Sequence, residues 1–419
     1  MRRITDEGTS LVMPTWLVDL GFVQIKQRIA DGSLLPLLDA ELSRRGPPGR
    51  LQVVRLGYEK HRRDCSAMVL ELAFASAAAE PPVTRELVLY LPRRATSPAP
   101  GRAWWYPADP YLPGLQQVIG GGDFLHPSRW DKAWAGLDPQ AAASVRRLSY
   151  YPGHRASFLI GSAGASTQLV VKFVRRAAFG ECVEVAERLA QTSLRDDIVV
   201  PRFLSYSSRQ CALLYEYVPG TGLDQLDRAQ RSTPHLRAQA GRVLARVHAV
   251  AAPGLRQWSA AKELGQTRLL VAELRRRVPS AEAIEPVFES LAPTLSRSRG
   301  PYLQLIHNDF SARNVLRRPG AGDASAAESL AVIDWDRAVL GPVERDLASF
   351  VSGFTSSRSE ARASIDTYQR HTGRAIDVEL VNAFVGHQRL LKLCRRALAA
   401  GRIGASDFEG VLRSGTPGV

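Results

Sequence analysis

Two short apolar runs, each emptying into acidic and amide side chains, narrow what this chain can be more than any other feature. Leu303-Gln304-Leu305-Ile306 reads as a strand and leads into His307-Asn308-Asp309-Phe310-Ser311-Ala312-Arg313-Asn314. Leu330-Ala331-Val332-Ile333 reads as a second strand and ends in Asp334-Trp335-Asp336. Strands of this kind hold polar groups at their mouths on a rigid frame. Phosphoryl transfer needs an acceptor for the substrate hydroxyl proton and hard oxygen ligands for Mg²⁺. An Asp base, an Asn five residues on and a second Asp at the end of a neighbouring strand meet both needs. His307, two residues before Asp309, is the usual first residue of such a loop and braces it. Arg313 lies on the same loop, beside Asn314.

In that order, His307-x-Asp309-x-x-x-x-Asn314 followed by Ile333-Asp334-Trp335-Asp336 resembles the aminoglycoside phosphotransferase and choline kinase superfamily. There, Ile-Asp-Trp-Asp or Ile-Asp-Trp-Glu replaces the Asp-Phe-Gly of protein kinases. Gly341-Pro342 and Asp346-Leu347-Ala348 fit the same pattern, as a turn and a capping Asp. One departure is Asn308, where the family usually has Gly. Asn tolerates a left-handed backbone better than most residues, so the turn is expected to survive.

The resemblance covers about residues 145–400 and implies an α+β, two-lobe protein-kinase-like fold. A small antiparallel-sheet N-lobe and a mainly helical C-lobe are expected, with an extra N-terminal α+β domain. The implied reaction moves the γ-phosphate of a nucleotide, ATP expected and GTP allowed, to a hydroxyl of a small molecule. That acceptor would be sugar-like, aminoglycoside-like or an amino alcohol. Asp309 would orient and deprotonate it, and Asn314 and Asp334 would hold Mg²⁺. Lys172 would hold the α- and β-phosphates, and Asp336 would assist the metal or brace the loop. The rival is a catalytically weak pseudokinase with a nucleotide-binding or scaffold role. The intact Lys172, Asp309, Asn314 and Asp334 argue against it. A protein kinase is disfavoured because Asp-Phe-Gly and Ala-Pro-Glu are missing.

The chain divides on this reading into residues 1–140, an N-terminal domain, 141–218, the N-lobe, and 219–419, the C-lobe. Trp16–Ile29 and Leu34–Leu42 carry apolar residues at helical spacing. An internal repeat is expected next. Arg55-Leu56-Gly57-Tyr58, Met68 to Phe74 and Leu87 to Leu91 match Arg147-Leu148-Ser149-Tyr150, Phe158-Leu159-Ile160 and Leu169 to Val174. Each copy reads as three strands, and Tyr90 of the first stands where Lys172 stands in the second. Thr96 to Pro113 reads as a linker that packs against something, and Asp131 to Arg147 as a helix.

Lys172 is alone in an apolar strand, which suits a buried, paired amine. Of Glu181, Glu184 and Glu187 on the next helix, only one can face it. Glu184 matches the family spacing, with Glu187 in reserve. Tyr151-Pro152-Gly153-His154-Arg155 is expected to cover the phosphates, with Gly153 as its glycine. In Cys211 to Gly220, the Glu216 carbonyl and the Val218 amide are the candidates for adenine recognition.

The formal charge of +14 raises the question of nucleic acid, but the arginines are dispersed and no nucleic-acid motif is present. No apolar run reaches membrane-spanning length. The four cysteines, Cys65, Cys182, Cys211 and Cys394, lack metal spacing, so a reducing cytoplasm is expected. From Arg337 onward eleven arginines, Arg345, Arg358, Arg362, Arg370, Arg374, Arg389, Arg395 and Arg396 among them, outnumber eight acids. In the resembling family this region builds much of the acceptor pocket, and a polycation requires an anionic one. A neutral or anionic acceptor is therefore expected over an aminoglycoside.

Overall fold

The computed structural model describes residues 21–42, 51–61, 65–75, 83–92, 102–120, 123–132, 144–161, 168–227, 233–298, 300–318, 330–355 and 357–403. Outside these residues lie the start of the helix expected at 16–20 and most of the helix expected at 131–147, together with a glycine break at 121–122, a Gly-, Ala- and Ser-rich stretch at 319–329 and the residues after 403.

The order begins with α1 (Gly21–Ala30) and α2 (Leu34–Leu42). Then come β1 (Leu51–His61), β2 (Cys65–Phe74), β3 (Val83–Pro92) and β4 (Arg102–Trp105), antiparallel in that order. Trp104 and Trp105 thus belong to a strand, where a linker was expected. A strand points alternate side chains to opposite faces. Met68, Leu70, Leu72, Leu87 and Leu89 face one side and bury Phe22, Ile25, Leu34 and Leu38 of α1 and α2. Cys65, Ala67, Val69, Val88, Tyr90 and Trp104 face the other.

After α3 (Leu115–Gly120) the chain enters β5 (Val145–Tyr151), β6 (Arg155–Ile160) and β7 (Leu169–Val174). Residues 145–147 are strand, not the end of a helix: Val145 pairs with Ile160 and Arg147 with Phe158. Cross-strand pairing there overrides local helical spacing. Next come α4 (Arg176–Ala190), the short α5 (Leu194–Asp197), β8 (Phe203–Ser207) and β9 (Ala212–Glu216). The second sheet runs β5-β6-β7-β9-β8. Both stretches matched in the sequence are three-stranded antiparallel meanders.

The two sheets pack face to face. Tyr150, Ala156, Phe158, Val171 and Phe173 of the second share one core with Val69, Val88, Tyr90 and Trp104 of the first. Each such side chain buried contributes on the order of 1.5–3 kcal/mol, so this is an extensive attachment. Tyr90 points between the sheets, whereas Lys172, at the matching position, points away from them.

The helical half starts after β10 (Thr221–Gly222) with α6 (Pro234–Ala249), α7 (Ala260–Arg277) and α8 (Ile284–Arg297). β11 (Leu305–Ile306) follows, then β12 (Val315–Arg317), β13 (Leu330–Val332) and β14 (Val339–Leu340). α9 (Val343–Phe354), α10 (Arg358–Thr372) and α11 (Val378–Ala400) complete it. β11 pairs with β14, and β12 lies between β10 and β13. These small ribbons fix the two loops singled out in the sequence. Among the described residues, no helix is long and apolar enough to cross a membrane. All four cysteines are buried, and none forms a disulfide.

Candidate active site

A cleft of about 650 Å³ lies under the second sheet, closed below by the two loops. Strand alternation builds its roof. Leu169, Val171 and Phe173 of β7 enter the core between the sheets, so Val170 and Lys172 face the cleft. Arg155 and Ser157 of β6 do the same, opposite Ala156 and Phe158.

The Asp309 loop is held from beneath. Asp346, fully buried in the first turn of α9, accepts from the backbone N–H of His307 at 2.6 Å and of Asn308 at 2.8 Å. Burying a carboxylate requires such donors. The Asn308 backbone is left-handed at φ 63°, as the departure from Gly allowed. Its side chain donates to the Arg337 carbonyl at 3.0 Å and accepts from Arg345. The His307 ring is buried against Trp335, with Nε2 2.9 Å from the Ile333 carbonyl oxygen, so it ties the two loops together. Asn314 Nδ2 donates to the Asp309 carbonyl at 2.9 Å, leaving its side-chain oxygen for the cleft. Arg313 Nη2 donates to Asp309 Oδ2 at 2.6 Å.

Asp334 takes a left-handed backbone at φ 68°. Lys172 Nζ lies 2.5 Å from its Oδ1, and Arg155 Nη1 lies 3.0 Å from both of its carboxylate oxygens. Asp336 also pairs with Lys172. Burial alone would raise the Asp334 carboxyl; Lys172 and then Arg155 outweigh it and hold the group well below the usual carboxylate range. Burial alone would lower the Lys172 ammonium; Asp334 and then Asp336 raise it instead. The two shifts agree: the Lys172–Asp334 pair is ionised throughout the neutral range.

Two expected roles are corrected. The Lys172–Glu184 pair is not formed. α4 turns Cys182, Val185, Ala186 and Leu189 inward, which leaves Glu184 on its outer side, 3.2 Å from Arg188. Glu181 pairs with Arg256, and the reserve Glu187 makes no ion pair among the described residues. Exposed i,i+4 pairs such as Glu184–Arg188 contribute only ~0.3–0.5 kcal/mol, so the docking of the apolar side of α4, not that pair, sets where Glu184 points. Gly153 does not line the cleft either. It is buried, with φ +70°, and its N–H donates at 2.8 Å to Asp109, which lies between β4 and α3. Its neighbours Tyr151 and Arg155 are the residues of that turn that reach the cleft. A Cβ at position 153 would stand 2.7 Å from the Tyr90 ring. Gly153→Ala is therefore expected to distort the turn, lower Tm and weaken nucleotide binding at least several-fold; unchanged values in both would refute this account of the glycine.

Glu216 and Val218 line the far end of the cleft, where β9 runs out. Arg155 closes the stretch expected from sequence to cover the phosphates, but its pairing with Asp334 was not foreseen. The available signal was the alternation Arg155-Ala156-Ser157-Phe158, which sets Arg155 on the side opposite the apolar residues.

Such a fold and site define an enzyme of phosphoryl transfer: a sheet lysine, an Asp-Asn loop and a second Asp converging on one cleft. Residues 153–377, more than half of the chain, match the phosphotransferase enzyme family, and the chain belongs to that family. It is a kinase, transferring phosphoryl groups to alcohol acceptors. Among solved structures, it is similar to the choline kinase LicA from Streptococcus pneumoniae, at 15% identity over 65% of this chain and 93% of that one, TM-score 0.46. For the macrolide 2'-phosphotransferase MphH from Brachybacterium faecium the values are 19%, 70%, 96% and 0.42. For a choline/ethanolamine kinase family protein from Mesorhizobium loti they are 15%, 66%, 90% and 0.47. No curated protein matches the sequence.

Proposed function

We propose that this kinase moves the γ-phosphate of ATP to a hydroxyl of a small neutral or anionic molecule, with Mg²⁺, in the cytoplasm. The observation that carries this reading is the meeting of Lys172, Asp334, Asn314 and the Asp309 loop at one cleft. Residues 141–218 and 219–419 serve on this reading as the two lobes, and residues 1–140 as an accessory domain. Adenine sits against the strand end at Glu216 and Val218. Lys172 and Arg155 bear on the phosphates. Asn314 and Asp334 suit Mg²⁺, because they offer one neutral and one anionic hard oxygen donor and Mg²⁺ is bound through few protein oxygens plus phosphate. Bound there, the metal would neutralise charge on the transferring phosphoryl group. Asp309 accepts the acceptor's hydroxyl proton, and Arg313 beside it orients that carboxylate.

The acceptor class is supported by α11. Arg389, Lys392 and Arg396 recur at three- and four-residue spacing, which places them on one side of the helix. Desolvation and then the charges of Arg389, Arg396, Arg395 and Arg313 push the Lys392 ammonium down, so the positive field of this side of α11 is shared with Arg313 of the Asp309 loop. A polycation would be repelled there. A panel of sugars, sugar phosphates, amino alcohols and aminoglycosides, assayed for ATP-dependent phosphorylation, tests this. Turnover of hydroxylated neutral or anionic compounds is expected. Robust phosphorylation of kanamycin-type compounds with none of neutral sugars would reject it.

A further inference from the structure

Asp109 is a buried carboxylate, 5% exposed, that lies outside the family match at 153–377 and has no part in the chemistry above. Both of its oxygens face donors. Oδ1 accepts from the Tyr111 backbone N–H at 2.9 Å. Oδ2 accepts from the Gly153 N–H at 2.8 Å and from the Tyr150 hydroxyl at 2.9 Å. The Tyr150 oxygen in turn accepts from Trp104 Nε1 at 3.0 Å. Two further contacts converge on the same β5–β6 turn. The Tyr90 ring covers Gly153, and Cys65 Sγ lies 3.0 Å from His154 Nε2. The first sheet and its exit segment thus grip the turn from the side opposite the cleft.

We propose that Asp109 is a positioning residue for the nucleotide phosphates: through the Gly153 amide it holds the β5–β6 turn so that Tyr151 and Arg155 stand over the cleft, making the N-terminal sheet a working part of the nucleotide site. This rests on the reading of the cleft as a nucleotide site. The geometry requires a carboxylate. With backbone N–H groups against both oxygens, an Asn must turn its NH₂ toward one of them, setting donor against donor in a buried place. A second consequence concerns the ligand. The Gly153 N–H points to Asp109, so phosphate contacts from this turn fall to side chains, Arg155 first, rather than to that amide.

The test is Asp109→Asn in the full chain, with ATP kinetics, direct Mg·ATP binding and thermal unfolding measured together. A rise of about tenfold in both KM and Kd for Mg·ATP is expected, the loss of one buried charge-assisted hydrogen bond. kcat and the acceptor KM should move by less than about twofold. A merely structural role would lower Tm without this split, and wild-type KM and Kd in the folded variant would overturn the proposal. Should Asp109→Asn not fold, Tyr150→Phe removes one donor from the same oxygen, and a smaller rise in the same two constants is expected; none would count against it. Hydrogen exchange on the wild type needs no variant: the Gly153 amide should be protected both with and without Mg·ATP. Protection gained only on adding nucleotide would mean that the amide binds phosphate, and would overturn the proposal. Wild type that binds no Mg·ATP would instead sink the nucleotide reading, while the apo protection still reports on the Asp109 contact.

Discussion

Asp309→Asn is expected to lower kcat by about 100- to 10,000-fold, the usual range for removing a positioned general base. The Kd of Mg·ATP should change by less than about threefold. The substitution keeps the size of the side chain and an oxygen for Arg313, which now lies 2.6 Å from Asp309 Oδ2. What it removes is the ability to take up a proton. The link that sets Asn314 uses the Asp309 backbone carbonyl, at 2.9 Å, so the cleft floor is untouched by the change. Single-turnover measurements with saturating ATP check this most directly. Activity above about a tenth of wild type, a loss below ~1.4 kcal/mol, would rule Asp309 out as the base.

Asp334→Ala should abolish turnover and remove most of the Mg²⁺ dependence of nucleotide binding. The variant loses an anionic oxygen donor and also strands two cations. Lys172 is 7% exposed and would keep only Asp336, and Arg155 would lose its two 3.0 Å contacts. Breaking a buried ion pair by removing one partner costs about 3–5 kcal/mol, so a clear fall in Tm should accompany the loss. The pH dependence follows in sign. The folded-state carboxyl of Asp334 is held below its unfolded value, so its contribution to stability is complete above the unfolded value near ~3.9. It is lost as the pH falls through the folded value, and Asp334→Ala should flatten the acid limb of the Tm profile. Calorimetry with ATP, with and without Mg²⁺, separates the two roles. Mg·ATP affinity equal to wild type would remove Asp334 from the metal site, whatever the stability change.

The amino-acid order alone determined much of this protein. The run from His307 to Asp336 could be read because each polar residue follows a short apolar strand at a fixed spacing. Strand and loop geometry are local properties, and so is the left-handed turn at Asn308, observed at φ 63°. Its place alone in the apolar run Leu169–Val174 likewise marked Lys172 as a buried, paired amine, and it lies on the face opposite Leu169, Val171 and Phe173. The two three-stranded meanders were visible for the same reason.

The partners across each face were decided only in the tertiary structure. Alternation says that Lys172 leaves one side of β7, but not that Asp334 and Asp336 meet it there while Glu184 stays on the outer side of α4. Three glutamates within one helix differ by rotations that depend on how the whole helix docks, and docking is set by Cys182, Val185, Ala186 and Leu189 against the core. The Asp109–Gly153 contact joins residues 44 positions apart, one in the segment after β4 and one in the β5–β6 turn. No periodicity encodes it, because it exists only once Trp104, Tyr90 and Phe158 have closed the space between the sheets and left one buried carboxylate facing one buried amide. Local pattern sets the direction in which a side chain leaves the backbone, and packing sets what it meets.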